Sequence, residues 1–297
     1  MTTEPAAERP RDDDLGAWFE RAINAALSED LGGHGPEADV TTKATTTAAT
    51  NADAVVVAKQ AGVVCGLAAL GITFSSIDRA VTVTLTKTDG DHVEPEDVLA
   101  RISGPARAIL TGERTALNLL GHLSGIATFA SAFVARAPGV QVTDTRKTLP
   151  GLRALEKYAV HTGGGTNHRF ALWDGVLVKD NHIVAAGGAG EATRRARHAT
   201  TLPIQVECMS REEVDEALDA GASSLLLDNR PPDELRALVA HVRQRDPNVF
   251  IEASGGVTLD TIADIAATGV DRVSIGALTH SAPALDVSLR FERVNQR

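Results

Sequence analysis

The stretch IQVECMSREEVDEALDAGASSLLLD (residues 204–228) contains a strand pattern, a helix pattern and a second strand pattern, and it decides the fold prediction. Its two ends are short apolar runs, whereas the segment between them repeats its apolar positions at helical spacing. Two more runs follow, NVFIEAS (248–254) and RVSIG (272–276), each after a helical pattern. The four runs start roughly 20 to 25 residues apart, which is the rhythm of βα units in a parallel sheet or barrel.

Two earlier runs, VQVTD (140–144) and GVLVK (175–179), extend the series to six strands. The first of them is not followed by a GxGxxG motif, so the series favours an α/β barrel over an open nucleotide-binding sheet. On the residue pattern alone, a doubly wound sheet remains the alternative.

The part of the chain before residue 139 has a different pattern. Short β-type runs at 53–60, 62–68 and 81–87 are separated by turn signals, which predicts a small antiparallel layer in an α+β domain. Helical spacing predicts one helix that ends before Gly32, and another from Arg107 to Arg136 that is broken near Gly121 or Gly125. Residues 1–14 are polar and are expected to form a disordered tail.

Composition excludes several classes of function. A hydrophobic fraction of 43% is that of a soluble globular protein, and a net charge of -10 disfavours binding to nucleic acid or to a membrane surface. Only Cys65 and Cys208 are present, which fits a reducing compartment and excludes a cysteine-rich zinc site. With neither an apolar leader nor a run of membrane-spanning length, a cytoplasmic location is expected.

A basic segment, residues 144–183, runs against this acidic balance. Arginine binds a carboxylate through two parallel hydrogen bonds, so Arg146 and Arg169 suit a ligand with two carboxylates, together with His168 and Lys179. The glycines at 163–165 predict a loop that returns His168 and Arg169 to the site.

The helix predicted within this segment has an apolar stripe at Leu152, Leu155 and Tyr158–Ala159. Arg153 and Lys157 fall on the opposite face, and we expect both to be solvated. His161 and His182 are interpreted as ordinary loop residues.

Charged or polar residues close most of the predicted strands. In a barrel the carboxyl ends of all strands open onto one face, where catalytic residues collect, so a shared polar site is expected there. The residues concerned are Asp144, Lys179, Glu207, Asp228, Glu252 and Ser254. Glu207 and Asp228 could share a Mg²⁺ ion, accept hydrogen bonds from ribose hydroxyls, or act as a general acid/base pair.

Glycine-rich turns follow the last two strands, at 254–258 (SGGVT) and 274–280 (SIGALTH). Loops at these positions form the usual phosphate site of α/β barrels, because they expose backbone N–H groups near a helix N-terminus. The glycines could instead serve only to make tight turns. Two such turns favour phosphate binding, and with it a metal-binding or sugar-binding role for Glu207 and Asp228. A P-loop is unsupported, since no GxxxxGK[ST] motif occurs.

Taken together, these motifs resemble the quinolinate phosphoribosyltransferase family, also called nicotinate-nucleotide diphosphorylase (carboxylating). The resemblance covers nearly the whole chain, and its most specific part is the ordered series DTRKT, GGGTNHR and KDNH. The segments that carry it are EDLG (29–32), DVTT (39–42), ERTALNLLGHLSGIAT (113–128), DTRKTLPGLRALEKYAV (144–160), GGGTNHR (163–169) and LVKDNHI (177–183), followed by Glu207, Asp228, SGG and GALTH.

The resemblance implies an α/β fold of two domains. Residues 15–124, with 283–297, would form an N-terminal α/β sandwich, and residues 125–282 an incomplete, seven-stranded α/β barrel. It also implies a homodimer in which the sandwich domain of one subunit caps the barrel of its partner.

The resemblance assigns roles to individual residues. Quinolinate would be bound by Arg146, His168, Arg169 and Lys179, with Arg114 reaching it from the partner subunit. Lys147, Glu207 and Asp228 would be catalytic and would contact phosphoribosyl pyrophosphate, the two carboxylates through ribose or Mg²⁺. The 5-phosphate would be cradled by Ser254, Gly255, Gly256 and Gly276, with His280 close by.

The implied reaction transfers phosphoribosyl from 5-phosphoribosyl 1-pyrophosphate to quinolinate with loss of CO₂, giving nicotinate mononucleotide and pyrophosphate in de novo NAD biosynthesis. Two alternatives remain: a phosphoribosyltransferase for a related anionic base such as nicotinate, and a non-catalytic metabolite-binding barrel.

Overall fold

The computed structural model describes residues 12–295 and divides them into two compact units. Residues 12–131, 149–164 and 281–295 form the first, here called the antiparallel unit. Residues 132–148 and 165–280 form the second, here called the parallel unit. Most of the expected disordered tail lies outside the described residues, but its last three positions already belong to the first helix.

Regular structure begins with a long helix and then alternates short strands with helices. The elements up to residue 136 are α1 (Asp12–Leu31), a 3₁₀ turn (Pro36–Ala38), α2 (Val40–Thr45), β1 (Asn51–Ala58), β2 (Gly62–Val63), α3 (Ala68–Ile77), β3 (Thr82–Leu85), β4 (His92–Val93), β5 (Val98–Pro105) and α4 (Ala106–Arg136). The elements that follow are β6 (Gln141–Thr143), α5 (Arg153–Thr162), β7 (Val176–Val178), α6 (Asp180–Ala186), α7 (Ala189–Ala199), β8 (Ile204–Cys208), α8 (Arg211–Asp219), β9 (Ser224–Asp228), α9 (Pro232–Arg245), β10 (Phe250–Ser254), α10 (Ile262–Ala266), β11 (Arg272–Ser274), α11 (Ala277–His280) and β12 (Val287–Asn295).

The antiparallel unit is built on a four-stranded sheet in the order β12-β1-β5-β3. β1 pairs antiparallel with both β5 and β12, so the last strand of the chain lies beside the first one. One apolar core joins the sheet to α3 and α4, and it includes Val56, Phe74, Ile102, Ile109 and Leu120. The small antiparallel layer predicted from the sequence is therefore confirmed.

The second predicted run of this unit, residues 62–68, is a strand only at Gly62–Val63. The chain turns away at Gly66, whose φ of 91° lies in the left-handed region that favours glycine. The Asp89 carboxylate fixes this turn by accepting hydrogen bonds from the Gly66 N–H at 2.9 Å and the Leu67 N–H at 3.0 Å.

Helix α4 continues without a break through Gly121 and Gly125, so the predicted interruption was wrong. The glycines serve close packing instead. A Cβ atom at Gly125 would lie 2.1 Å from the Pro283 carbonyl oxygen, and one at Gly121 would lie 2.9 Å from that of Leu285. By length and composition α4 could also cross a membrane, but 61% of its most apolar window is buried, as in the core helix of a soluble protein.

Residues 149–164, which the sequence analysis expected in the barrel domain, belong to the antiparallel unit. Their helix α5 packs against α1, and the His122 ring on α4 lies 2.9 Å from the Glu156 carboxylate. Because other elements surround α5, the prediction of a solvated Lys157 was wrong: this side chain is 1% exposed. Arg153 is half-buried.

The parallel unit contains a six-stranded sheet in the order β6-β11-β10-β9-β8-β7, and all its strands are parallel. Its first strand, β6, is the neighbour of its last strand, β11, as in a barrel and unlike the reversed order of a doubly wound sheet. A seventh strand is expected, but in the described residues only a single parallel bridge, Thr143–Thr166, stands at that place. The glycines at 163–165 leave this segment too irregular to form a longer ladder.

We expect the substitution Gly125→Ala to destabilise the protein, because the added methyl group meets a backbone carbonyl that cannot rotate away. The expected loss in the free energy of unfolding is about 1–3 kcal/mol, measured by chemical denaturation. Gly16→Ala in α1 is the matched control, since nothing lies within 4 Å of its Cβ position. It should stabilise the protein by about 0.5–1 kcal/mol. Equal stability of the two variants would contradict the close approach at Gly125.

Candidate active site

A cavity of ≈ 310 Å³ opens at the carboxyl ends of the parallel strands. Nine of the residues predicted for the site line it: Arg146, Lys147, His168, Arg169, Lys179, Glu207, Asp228, Glu252 and Ser254. Leu177 and Leu226 contribute apolar surface to the cavity lining. Since parallel strands present their carboxyl ends on one face, seven separate chain segments meet here.

One wall of the cavity is cationic. Burial is the main cause that lowers the pKa of the Arg169 guanidinium, and the adjacent positive charge of Arg146 lowers it further. The Arg169 Nη1 donates to the Gly175 carbonyl at 2.7 Å, whereas the Arg146 Nε is buried without a partner among the described residues. Two neighbouring guanidiniums with unused donors form an anion site.

The loop that carries Arg169 is held by residues that the sequence analysis did not assign to this task. The Asp174 carboxylate accepts hydrogen bonds from the backbone N–H groups of Phe170 and Ala171. On the other side, the fully buried Asp144 carboxylate accepts from the Asn167 side chain at 2.6 Å and the His168 N–H at 2.9 Å. Asp144 was predicted as a residue of the shared polar site, and in the structure it anchors the loop.

Another part of the cavity lining is acidic. Glu207 on β8 and Asp228 on β9 stand at the ends of neighbouring strands. Burial raises the pKa of the Glu207 carboxyl, the ammonium of Lys179 lowers it, and the negative charge of Asp228 raises it again. The Lys179 Nζ lies 3.8 Å from a Glu207 carboxylate oxygen.

The two carboxylates fit Mg²⁺ only in part. Within residues 12–295, no cluster of three or more His, Cys, Asp or Glu side chains is arranged to hold a metal ion. Mg²⁺ is usually held by one or two carboxylates together with substrate phosphates and water, so a pair is sufficient when a phosphate ligand is present. The mutual repulsion of Glu207 and Asp228 is relieved by such a cation.

The glycine turn after β10 brings backbone to the cavity rim. Gly255 and Gly256 have φ of 92° and 61°, and a Cβ at Gly255 would lie 2.9 Å from the Asn229 backbone. Asn229 itself has a φ of 51°, and its N–H donates to the Ser254 carbonyl at 2.8 Å. The turn therefore combines left-handed backbone with a close approach of Asn229, and both require glycine at position 255.

The turn after β11 is crowded by two predicted site residues. A Cβ at Gly276 would lie 2.9 Å from the Lys147 side chain and 3.1 Å from the His280 Nε2. The Thr279 hydroxyl donates to the Lys147 carbonyl at 2.8 Å and fixes that segment. Lys147 is thus brought next to Gly276 and His280, although it is far from both in sequence. Arg114, the remaining predicted residue, lies on α4 in the antiparallel unit and is exposed.

A buried polar network in the parallel unit was missed by the sequence analysis. Its members are Gln205, Glu252 and Arg272, each less than a tenth exposed. Burial by itself raises the pKa of the Glu252 carboxyl, but the charge of Arg272 and hydrogen bonds from His168 and Ser274 hold that pKa well below its usual range. The sequence predicted Glu252 for the polar site because it lies near a strand end. Its hydrogen bonds with Gln205 and Arg272 were not predicted.

Comparisons with known proteins agree with this geometry. Residues 39–124 match the model of the quinolinate phosphoribosyl transferase N-terminal domain, and residues 126–290 match that of its C-terminal domain. The probable nicotinate-nucleotide pyrophosphorylase (carboxylating) of Bacillus subtilis is 45% identical over 249 residues, which cover 82% of this chain and 85% of the relative. The corresponding protein of Homo sapiens is 43% identical over 240 residues, covering 79% and 80%.

Solved structures agree as well. The nicotinate-nucleotide pyrophosphorylase from Francisella tularensis superposes with a TM-score of 0.87 at 31% identity, covering 98% of this chain and 100% of that one. The protein of the same name from Ehrlichia chaffeensis gives 0.87 at 36% identity, covering 92% and 98%. The chain therefore belongs to the quinolinate phosphoribosyl transferase family.

Proposed function

We propose that the protein transfers the phosphoribosyl group of 5-phosphoribosyl 1-pyrophosphate to quinolinate, with release of pyrophosphate and CO₂, to give nicotinate mononucleotide in de novo NAD biosynthesis. The observation that carries this proposal is one cavity lined both by two guanidiniums and by two carboxylates. Family membership and the names of the relatives support the same reaction.

The cationic wall is the quinolinate side. Quinolinate carries two adjacent carboxylates, and the neighbouring guanidiniums of Arg146 and Arg169 match them in charge and in geometry. Lys179, at the end of β7, adds a third positive charge. Leu177 and Leu226 offer apolar surface to the pyridine ring.

The acidic part of the lining and the glycine turns are the donor side. Glu207 and Asp228 would hold Mg²⁺ together with the pyrophosphate, or would accept hydrogen bonds from the ribose hydroxyls. Lys147 would neutralise donor phosphate charge. The 5-phosphate would lie on the backbone of Ser254, Gly255, Gly256 and Gly276, with His280 beside it. Bound Mg²⁺ would supply charge neutralisation for the departing pyrophosphate.

The chemistry needs no protein nucleophile. The lone pair of the pyridine nitrogen forms a bond to C1 of the ribose as the bond from C1 to the pyrophosphate oxygen breaks. Positive charge develops on the ribose ring, and the carboxylates of Glu207 and Asp228 would stabilise it electrostatically. The ring nitrogen of the adduct is then positive, so it accepts the electron pair left when the adjacent carboxylate departs as CO₂. A proton from water replaces that carboxylate.

Assembly and location belong to the same proposal. A homodimer in which Arg114 completes the cavity of the partner subunit would explain why this arginine is exposed on α4 while Thr115 and Ala116 beside it are buried. Trp173 and Val184, exposed by 73% and 80%, give the parallel unit apolar surface for such an association. A cytoplasmic location is supported by the two buried free cysteines, Cys65 and Cys208.

The purified protein should form nicotinate mononucleotide and CO₂ from quinolinate, phosphoribosyl pyrophosphate and Mg²⁺. Product is measured by chromatography and CO₂ by release of label. Nicotinate in place of quinolinate tests the first alternative, since it supplies only one carboxylate to the two guanidiniums. Folded protein that binds quinolinate without turnover would instead indicate the non-catalytic barrel and would refute the proposal.

Substitution of Arg169 should weaken quinolinate binding selectively. Arg169→Ala removes a half-buried charge partner, which costs on the order of 2–5 kcal/mol, so the KM for quinolinate should rise roughly 30-fold or more. The KM for the donor should change little. Arg195→Ala is the matched control, because Arg195 is an exposed arginine of the same unit that pairs with Glu191. Equal loss of affinity for both substrates would contradict the assignment.

The shared site predicts complementation between inactive subunits. Arg114→Ala and Lys147→Ala should each abolish activity, because each removes a charge from every cavity of its own homodimer. After mixing and subunit exchange, hybrids contain one cavity with both residues intact, so activity should return in part. Hybrids that form, as shown by mass spectrometry, but stay inactive would show that Arg114 does not act across subunits.

A further inference from the structure

The buried network of Gln205, Glu252 and Arg272 connects the core of the parallel unit to the cavity wall. The three residues stand on β8, β10 and β11, and Glu252 and Arg272 are direct partners in the strand register. Glu252 is fully buried and also reaches the cavity. Burying charged groups costs desolvation free energy, so a buried pair such as Glu252 and Arg272 calls for a structural explanation.

The hydrogen bonds of the network have only one possible direction. Arg272 Nε donates to Glu252 Oε2 at 2.6 Å, and Gln205 Nε2 donates to the same oxygen at 3.0 Å. A carboxylate paired with arginine only accepts, so the Gln205 amide nitrogen must point towards Glu252. Its carbonyl oxygen therefore faces the other way, towards His168.

This orientation fixes the protonation of His168. The Gln205 Oε1 lies 3.1 Å from His168 Nε2, and it can only accept, so Nε2 carries the hydrogen. Glu252 Oε2 is 3.5 Å from the same nitrogen. At the other side of the ring, the Arg169 N–H donates to His168 Nδ1 at 2.8 Å, which requires Nδ1 to be unprotonated. Both ring nitrogens are thus engaged by protein in the neutral Nε2–H tautomer.

We propose that Gln205, oriented by Glu252, is a positioning residue: it holds His168 in the Nε2–H tautomer, and His168 in turn holds the main chain of Arg169 at the cavity. His168 also lines the cavity, so this role is additional to the ligand contact predicted from the sequence. This inference rests on the proposed function only for the identity of the ligand.

The positioning has a physical purpose. Arg169 stands beside Arg146, and the repulsion between the two guanidiniums tends to move Arg169 out of the cavity. Its backbone is held by His168 Nδ1 and its side chain by the Gly175 carbonyl. Displacement of a binding group by about 1 Å can cost on the order of 100-fold in rate, so the loss of one anchor should be measurable.

The first test is spectroscopic and needs no substrate. In protein labelled with ¹⁵N-histidine, His168 should give the Nε2–H tautomer pattern, its signals being assigned by their loss in His168→Gln. Gln205→Leu removes the acceptor and should give mixed tautomers. A wild-type Nδ1–H form or imidazolium, or an unchanged tautomer in Gln205→Leu, overturns the proposal.

The second test separates positioning from a merely structural role. Gln205→Leu should raise the KM for quinolinate at least about tenfold, while the KM for the donor and kcat change less than about threefold. Asp271→Asn, which neutralises the partner of Arg243 in the same unit, is the control for altered stability alone. The proposal is overturned if Gln205→Leu raises the KM values of both substrates equally, or if it changes neither.

The two tests also separate this inference from the proposed function. Wild-type protein that is inactive with quinolinate would refute the function and would leave the tautomer results to decide the role of Gln205. Active protein with the wrong tautomer would refute only the positioning role.

Discussion

Repulsion between two neighbouring guanidiniums is the constraint on which the site depends. Burial and the positive charge of Arg146 lower the pKa of Arg169, yet both guanidiniums line one cavity. Three hydrogen bonds hold Arg169 and its loop in place. The Asp174 carboxylate accepts from the loop backbone, the Gly175 carbonyl accepts from the Arg169 guanidinium, and the His168 ring accepts from the Arg169 N–H. An anionic ligand then binds to charges that are already in place, so little reorganisation accompanies binding.

Much of the site could be predicted because its signals are local. An apolar run that ends in a charged residue places Glu207 and Asp228 at strand ends, and glycine clusters mark turns such as Gly255–Gly256. The order of the parallel strands follows from the regular spacing of the runs, since a crossover helix allows few arrangements. The seventh strand was not predictable in this way, because its single bridge at Thr166 lies in a segment without a strand pattern.

The wrong or missing predictions have a different cause. Each concerns a residue whose environment is set by contacts with residues distant in the sequence. Lys157 lies on the polar side of an isolated helix, and only the surrounding elements bury it. Gly125 breaks a helix in isolation but permits the close approach of Pro283 in the fold. Gln205 is hidden in a strand run, and its link to Glu252 joins residues 47 positions apart. Tertiary contacts of this kind leave no periodic trace in the sequence.

The pairing of β12 with β1 has a consequence for the order of folding. The central strand of the antiparallel sheet, residues 51–58, receives one of its two neighbours from residues 287–295. During synthesis this edge stays open while the whole parallel unit is made, and it closes only after residues 287–295 have left the ribosome. The parallel unit, whose strands lie between residues 141 and 274, can assemble before that moment. A strand that is synthesised after the parallel unit, β12, thus completes a sheet whose strand β1 is synthesised before that unit.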